Sequence, residues 1–337
     1  MTVATLAAVV AALALGTAAT AALSHFAARL PQATPSERTL HAGAIPRAGG
    51  WAIWAGFLPV ALWLPPVFPG GGVAGWLPAF LAVLAVSAAD DLRDVRAGVR
   101  LVVHLAAAAW CAWSLWRGAA PAAAVTPSVV ALICVTTLVI AWAANLYNFM
   151  DGSDGIAATM TLVGFGAYGV AANRSGEGGA AFLALAAATL PFLAVNRPRA
   201  TMFMGDVGSV PLGFLAAVFG LAGFMAGLWP AWFPVLVFLP FIADASVTLA
   251  RRAAGGARLS DPHKEHYYQR LHRMGAGHGG TLCAYGAAMA LTSTGAVLCL
   301  ALAPAWGEAL LVLACVVCFT LFGAIDYHWR RRALTPR

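Results

Sequence analysis

The chain alternates long apolar runs with short polar intervals. Runs centred near residues 15, 59, 83, 109, 138, 164, 188, 218, 240, 291 and 316 approach the ~20 apolar residues that a helix needs to cross a ~30 Å hydrocarbon core. The pattern predicts an all-α, polytopic integral membrane bundle of about eleven transmembrane helices. Several runs are short or interrupted by Gly and Pro. Residues 70–76 and 119–128, rich in Gly, Pro and Ala, read as short loops. No internal repeat, soluble domain or low-complexity tail stands out, so residues 1–337 read as one integral domain with polar loops near 29–50, 90–100, 147–155, 197–209 and 251–280.

Charge gives this bundle a direction. Eighteen of the twenty Lys and Arg follow odd-numbered runs, the largest group spreading from Arg251 to Arg273; only Arg117 and Arg174 lie on the other side. Cytoplasmic loops carry the basic excess. The expected topology is therefore N-terminus outside and C-terminus cytoplasmic, which needs an odd number of crossings.

Composition agrees, with 61% hydrophobic and 10% charged residues and a mean hydropathy of +0.80. The net charge of +7 follows from the orientation bias and from attraction to anionic headgroups, so no nucleic-acid partner is expected. No Lys or Arg precedes Arg29, and a cleaved signal peptide wants a basic leading region; residues 3–28 read as a retained span. All six Cys fall inside apolar runs. The pair Cys315 and Cys318 lacks charged or His partners and reads as small packing residues.

The acids carry the chemistry. Of thirteen Asp and Glu, only Glu177 and Glu308 lie towards the outer face. Acids obey the positive-inside rule weakly, so their gathering on the inner face needs another cause. The densest case is residues 145–155, which hold Asn145, Asn148, Asp151 and Asp154 with Gly152 and Gly155. Two Asp-Gly pairs preceded by two Asn exceed what a helix-ending turn requires, and carboxylates at a membrane boundary are costly unless they bind a cation or do chemistry.

Three more clusters have related logic. In Asp90-Asp91-Leu92-Arg93-Asp94, a continuing helix would put Asp90 and Asp94 at i, i+4, where like charges repel; Arg93 and Arg96 are the candidate neutralisers. Asp206, between Gly205 and Gly208, begins the eighth run, where it could cap the helix, bind a metal, or do both. Arg47 with Gly49 and Gly50 suits a phosphate oxygen or a membrane anchor. The loop 261–271 holds Glu265 together with His263, His266 and Arg270, the last three being cations suited to phosphates, and Tyr267 and Tyr268 as interfacial anchors. Asp244 is expected either to support the site or to pair with Arg251 or Arg252, and the remaining His to be isolated packing residues.

Hard oxygen donors without Cys point to magnesium, with manganese as the alternative. Magnesium keeps few protein carboxylates and completes its shell with phosphate oxygens, so a diphosphate substrate is expected. A membrane-embedded site adds a lipid co-substrate, giving phosphoryl transfer between a cytosolic nucleotide conjugate and a lipid.

Four separated motifs, Arg47–Gly50, Asp90–Asp94, Asn148–Gly155 and Phe203–Ser209, make the chain resemble the polyprenyl-phosphate N-acetylhexosamine-1-phosphate transferases of glycosyltransferase family 4 type. The sugar-initiating O-antigen and common-antigen branch fits best, because the loop reads His263-Lys264-Glu265-His266 where the peptidoglycan branch has adjacent His. The resemblance implies transfer of N-acetylhexosamine-1-phosphate from a UDP-N-acetylhexosamine to undecaprenyl phosphate, with release of UMP, at the cytoplasmic face of a bacterial inner membrane. It implies magnesium at Asp206 and Asn148. Asp90, Asp91, Asp94, Asp151, His263 and His266 become catalytic candidates, with Asp90 or Asp91 orienting or deprotonating the lipid phosphate. Arg47, Asn145, Asn148, Asp154, Phe203, Glu265 and Arg270 become substrate-binding candidates, with Asp154 on the uracil. A homodimer is compatible with this reading. The alternatives are a muramyl-pentapeptide phosphotransferase of the same family, or a secondary transporter with functional carboxylates.

Overall fold

The computed structural model describes residues 2–33, 44–120, 122, 124–176, 178–258 and 263–334. Glu177 and the inner-face acids Glu37 and Asp261 lie outside the described residues. The helices are α1 (Val3–His25), α2 (Gly49–Trp63), α3 (Leu77–Arg93), α4 (Ala97–Ala119), α5 (Pro127–Met150), α6 (Ile156–Arg174), α7 (Gly179–Asn196), α8 (Asp206–Met225), α9 (Trp232–Val237), α10 (Leu239–Ala254), α11 (Tyr267–Leu271), α12 (Gly277–Leu302) and α13 (Gly307–Leu334). One two-residue antiparallel pair, β1 (Gln32–Ala33) with β2 (Ile45–Pro46), precedes α2.

Each of the eleven apolar centres falls within a helix or the α9–α10 pair. Among the described residues, eight helical stretches are long and apolar enough to cross a membrane. The other three apolar runs fall on shorter helices. Helices α2, α3 and α10 have 15, 17 and 16 residues, about 22–26 Å at 1.5 Å per residue. The ninth run is divided at Phe238, between Pro234 and Pro240, where proline removes a backbone donor and crowds the preceding turn.

Helix α8 is the centre of the bundle, packed against α2, α3, α4, α5, α6 and α9. Its residues are nearly all buried, whereas α1 and α13 present most of their surface outward. Such outward apolar faces are what lipid contact requires. Around α8 runs a buried aromatic seam: Trp76 meets Phe219 edge-on at 5.2 Å, Phe182 meets Phe219 at 5.4 Å, and Tyr168 stacks on Trp229 at 4.9 Å. Edge-to-face pairs of this kind add roughly 0.5–1.5 kcal/mol beyond area burial. The six Cys are unbridged, and Cys111 is buried.

Successive helices alternate in direction, so the starts of α2, α4, α6, α8 and α12 and the ends of α3, α5, α7, α10 and α13 meet at one polar end. The contacts below establish this.

Candidate active site

The site is built on the start of α8. The backbone of residues 46–50 is stitched to residues 203–204: the Phe203 amide donates to the Pro46 carbonyl at 2.8 Å, Gly49 to Phe203 at 2.9 Å and Gly50 to Met204 at 2.9 Å. Arg47 pairs with Phe203 as a parallel bridge, and the Trp54 indole donates to the Val207 carbonyl at 2.8 Å. A Cβ on Gly50 would stand 2.5 Å from both the amide nitrogen and Cα of Gly208. Glycine is therefore what lets α2 and α8 start side by side.

Gly205 adopts φ +74°, and a Cβ there would meet the Asp91 carboxylate at 2.7 Å. That carboxylate accepts the amides of Asp206 at 3.0 Å and Val207 at 2.8 Å. The first amides of a helix have no partner within it, so Asp91 of α3 caps α8 from outside. Asp206 does not cap its own helix; it is the first helical residue, and no side chain at Gly205 could cap it. With the cap supplied by Asp91, the side chain of Asp206 is left for other work.

Asp90 lies beside it. One oxygen accepts the Val95 amide at 2.8 Å and the other pairs with Arg100 of α4, whose guanidinium also reaches Asp206 at 3.4 Å. The expected continuous helix through Asp94 does not form. Helix α3 ends at Arg93, and Asp94 turns left-handed (φ 50°) and points into solvent. Asp94 is thus not an i, i+4 partner of Asp90 and stands apart from the cluster, and Arg100, rather than Arg93 or Arg96, is the ion-pair partner of Asp90.

The third motif closes the site. Asp151 follows the last residue of α5, one turn after Asn148, whose carbonyl accepts its amide at 3.1 Å. Burial first, and then the carboxylates of Asp206 and Asp91, hold the Asp151 carboxyl well above the ordinary Asp value; Arg47 pulls the other way. Asn145 bonds back to the Ala141 carbonyl within its own helix at 2.8 Å. Asp154 is only 3% exposed and accepts the Ala200 amide at 3.1 Å. Its place is beneath the turn leading to α8, and contact with a nucleobase would require that turn to open. Asn196 ties the same two segments, accepting from the Gly155 amide at 3.1 Å and donating to the Met202 carbonyl at 2.9 Å.

The loop before α12 docks on this platform. Tyr268 donates to the Phe149 carbonyl at 3.0 Å. His263 and His266 lie with ring centres 5.0 Å apart, and His266 lies 6.0 Å from the Phe149 ring. His266 is 2% exposed and faces Asp244 at 3.3 Å. Asp244 is fully buried and also accepts the amides of Tyr267 (2.9 Å) and Tyr268 (3.0 Å), as well as the Tyr285 hydroxyl. It pairs with neither Arg251 nor Arg252, because these four donors and the Thr248 hydroxyl of α10, at 3.2 Å, already surround it. Glu265 pairs with Arg252 at 2.6 Å. Arg270, expected to face phosphates, turns instead to Asp326 of α13 at 2.6 Å.

The expected isolation of the remaining His also needs correction. His272 and His278 meet edge-on at 4.3 Å, and His278 reaches the Ser153 hydroxyl at 3.0 Å. The polar end thus brings together Arg47, Asp90, Asp91, Asp151 and Asp206 around the start of α8. Asp94, Glu265 and Arg270 belong to its edges. Sequence reasoning missed Arg100, Asn196 and Asp326. Asn196 carried a legible signal, an amide at the inner end of an apolar run like Asn148. Arg100 and Asp326 become meaningful only once side chains of separate helices meet.

The oxygen set suits a hard divalent cation. Among the described residues no three His, Cys, Asp or Glu side chains form a ready-made cage, but magnesium needs only one or two carboxylates when phosphates supply the rest. Carboxylates gathered around one helix start are a place where such an ion could be held.

Residues 73–224, from α3 to α8, match the model of glycosyl transferase family 4. The chain is 28% identical over 286 residues to a decaprenyl-phosphate N-acetylglucosaminephosphotransferase of Mycobacterium leprae, covering 73% of this chain and 71% of that one. It is 26% identical over 276 residues to a probable undecaprenyl-phosphate N-acetylglucosaminyl 1-phosphate transferase of Bacillus subtilis, covering 72% and 70%. A phospho-N-acetylmuramoyl-pentapeptide-transferase of Lacticaseibacillus paracasei is 34% identical over a shorter stretch of 108 residues, 31% of this chain and 32% of that one. The matched region holds Asp90, Asp91, Arg100, Asp151 and Asp206, so the part of the chain that is similar to glycosyl transferase family 4 is the part that builds the start of α8 and its surroundings.

Proposed function

We propose that this chain transfers N-acetylhexosamine-1-phosphate from a UDP-N-acetylhexosamine to undecaprenyl or another polyprenyl phosphate, releasing UMP. The observation that carries this reading is the junction of Asp91 with the start of α8, which leaves Asp206 beside Asp90, Asp151, Arg47 and Arg100 at the polar end of a lipid-embedded bundle. Relatives covering most of the chain bear names for polyprenyl-phosphate N-acetylglucosamine-phosphate transfer, which makes UDP-N-acetylglucosamine the first donor to try.

In the proposed reaction an oxygen of the lipid phosphate attacks the sugar-proximal phosphorus in line, and the bond from that phosphorus to the UMP oxygen breaks. A phosphate monoester has a second pKa near 6, so the acceptor is largely dianionic and needs no strong base. Both oxygens of Asp90 and both of Asp91 already carry hydrogen bonds, which favours direct attack over a covalent aspartyl intermediate. Arg47 and Arg100 would neutralise phosphate charge. Asp206, with Asn148, would hold a magnesium ion that screens the diphosphate and stabilises charge on the leaving UMP. Positioning and electrostatics would supply most of the rate. The basic excess on this end supports a cytoplasmic site, with eleven crossings and the N-terminus outside.

The test is UMP release by purified protein with undecaprenyl phosphate, magnesium and a panel of UDP-N-acetylhexosamines that includes UDP-N-acetylmuramyl-pentapeptide. UMP from one N-acetylhexosamine donor, dependent on lipid and metal and lost in Asp206→Ala, is the expected result. UMP from the muramyl donor alone would assign the chain to the peptidoglycan step. No UMP from any donor, with folded protein, would reject the reading.

A further inference from the structure

Helix α13 lies beyond the region that matches the family model, and it packs on the bundle sparingly. Of its described side chains only Gly307 and Phe322 are buried. Its inner end nevertheless makes a dense set of contacts, to residues 267–274 and to Arg251 of α10. Phe322 stacks on Tyr267 with ring centres 3.9 Å apart and planes 11° from parallel. Asp326 accepts from Arg270 at 2.6 Å, from Arg251 at 2.8 Å and from the Tyr267 hydroxyl at 3.2 Å. Trp329 lies under the guanidinium groups of Arg270, at 5.8 Å, and Arg273, at 4.9 Å. Arg332 donates to the Met274 carbonyl. Phe322, Asp326 and Trp329 are spaced i, i+4, i+7, one face of a helix.

The segment they hold cannot order itself. Helix α11 has five residues, far below the ~12–15 at which an isolated helix becomes even marginal. It is gripped on two sides: Asp244 takes the Tyr267 and Tyr268 amides from within the bundle, and α13 holds the opposite side. Arg270 is 8% exposed, and a buried guanidinium whose partner is removed is strongly destabilised. A carboxylate serving Arg251, Arg270 and Tyr267 at once links α10, α11 and α13 at a single point.

We propose that the inner end of α13, through Asp326, is a strut that positions the loop bearing His263 and His266 against the Phe149–Asp154 platform. Asp326 is a positioning residue: it acts through Arg270 and Tyr267 and touches no reacting group. The kinetic arm of its test rests on the reaction proposed above; the exchange arm does not.

The test compares wild type, Asp326→Asn and Asp326→Glu, full length and in lipid nanodiscs. Amide hydrogen exchange is followed across 263–274, and steady-state UMP release is measured with donor and acceptor varied separately. Asp326→Asn keeps the shape while removing the charge and one acceptor. The expected result is exchange faster by about tenfold or more at 267–271 with the rest of the bundle unchanged. Donor kcat/KM should fall by about tenfold or more with acceptor KM within about twofold, and Asp326→Glu should recover most of both. Unchanged exchange at 267–271 would overturn the strut, and faster exchange with unchanged donor kcat/KM would overturn its link to catalysis. A wild type that releases no UMP with any donor would defeat the proposed reaction, while the exchange data would still decide whether α13 orders the loop.

Discussion

The carboxylate of Asp91 accepts the amides of both Asp206 and Val207, at 3.0 and 2.8 Å, so the last turn of one helix caps the first turn of another that begins 113 residues further on. This one contact aligns the α3–α4 hairpin with α8 and frees the side chain of Asp206.

If Asp91 serves chiefly as this cap, Asp91→Ala should cost about 1–2 kcal/mol of stability, and more if the charge-assisted bonds count fully. UMP release should fall by about a hundredfold as Asp206 loses its position. Asp91→Asn retains one acceptor oxygen and should keep most of the stability while losing part of the activity. Thermal unfolding in detergent alongside UMP release separates the two effects; a stable, inactive Asp91→Ala would instead make Asp91 a direct participant.

Gly50 and Gly166 should respond in opposite ways to the same substitution. A Cβ at Gly50 meets the Gly208 backbone at 2.5 Å, whereas one at Gly166 in α6 has nothing within 4 Å. Backbone cannot step aside as a side-chain tip can. Gly50→Ala should therefore destabilise by about 2 kcal/mol or more, and Gly166→Ala should be neutral or stabilising by up to about 1 kcal/mol through helix propensity. Paired melting curves check this.

Asp151 gives a pH dependence with a definite sign. Its carboxyl is raised well above the ordinary Asp value by burial and by Asp206 and Asp91. Below the unfolded value both states are protonated and the group is neutral to stability. As pH rises from there to the folded value, the unfolded chain releases its proton first, and stability is lost progressively. Asp151→Asn should thus match wild type in thermal midpoint near pH 4 and exceed it increasingly towards pH 8, measured without divalent cation. A constant offset at all pH values would refute the charge origin of the effect.

Arg100 bridges Asp90 and Asp206 with one guanidinium. Removing it leaves two carboxylates facing each other, which costs proton uptake or cation recruitment. Arg100→Ala should lower UMP release by about a hundredfold. Arg100→Lys should remain within about tenfold, because a single nitrogen, Nη1, makes both contacts. Equal losses in both variants would mean that the planar guanidinium is itself required.

Much of the site was legible along the chain because its chemistry is concentrated. In a protein with 10% charged residues, acids beside glycines at the ends of apolar runs stand out, and Asp90, Asp91, Asp151 and Asp206 were named from that contrast. Arg47 was found by the same logic, as a base beside Gly49 and Gly50. The roles were not legible. Whether Asp206 caps its helix or leaves that to another residue depends on where α3 ends, and whether Asp94 joins Asp90 depends on a single left-handed turn.

Hydrophobic run length alone determined that this is an all-helical membrane bundle, and the positions of its long helices followed, because the hydrocarbon core demands a minimum apolar span regardless of packing. Only the tertiary structure decided which charges meet. Arg270 was expected at the phosphates and lies on Asp326; Asp244 was left between supporting the site and pairing with Arg251 or Arg252, and it holds the Tyr267 and Tyr268 amides. An ion pair or an interhelical cap is set by distances of a few ångströms between helices far apart in sequence, and local periodicity carries no term for that distance.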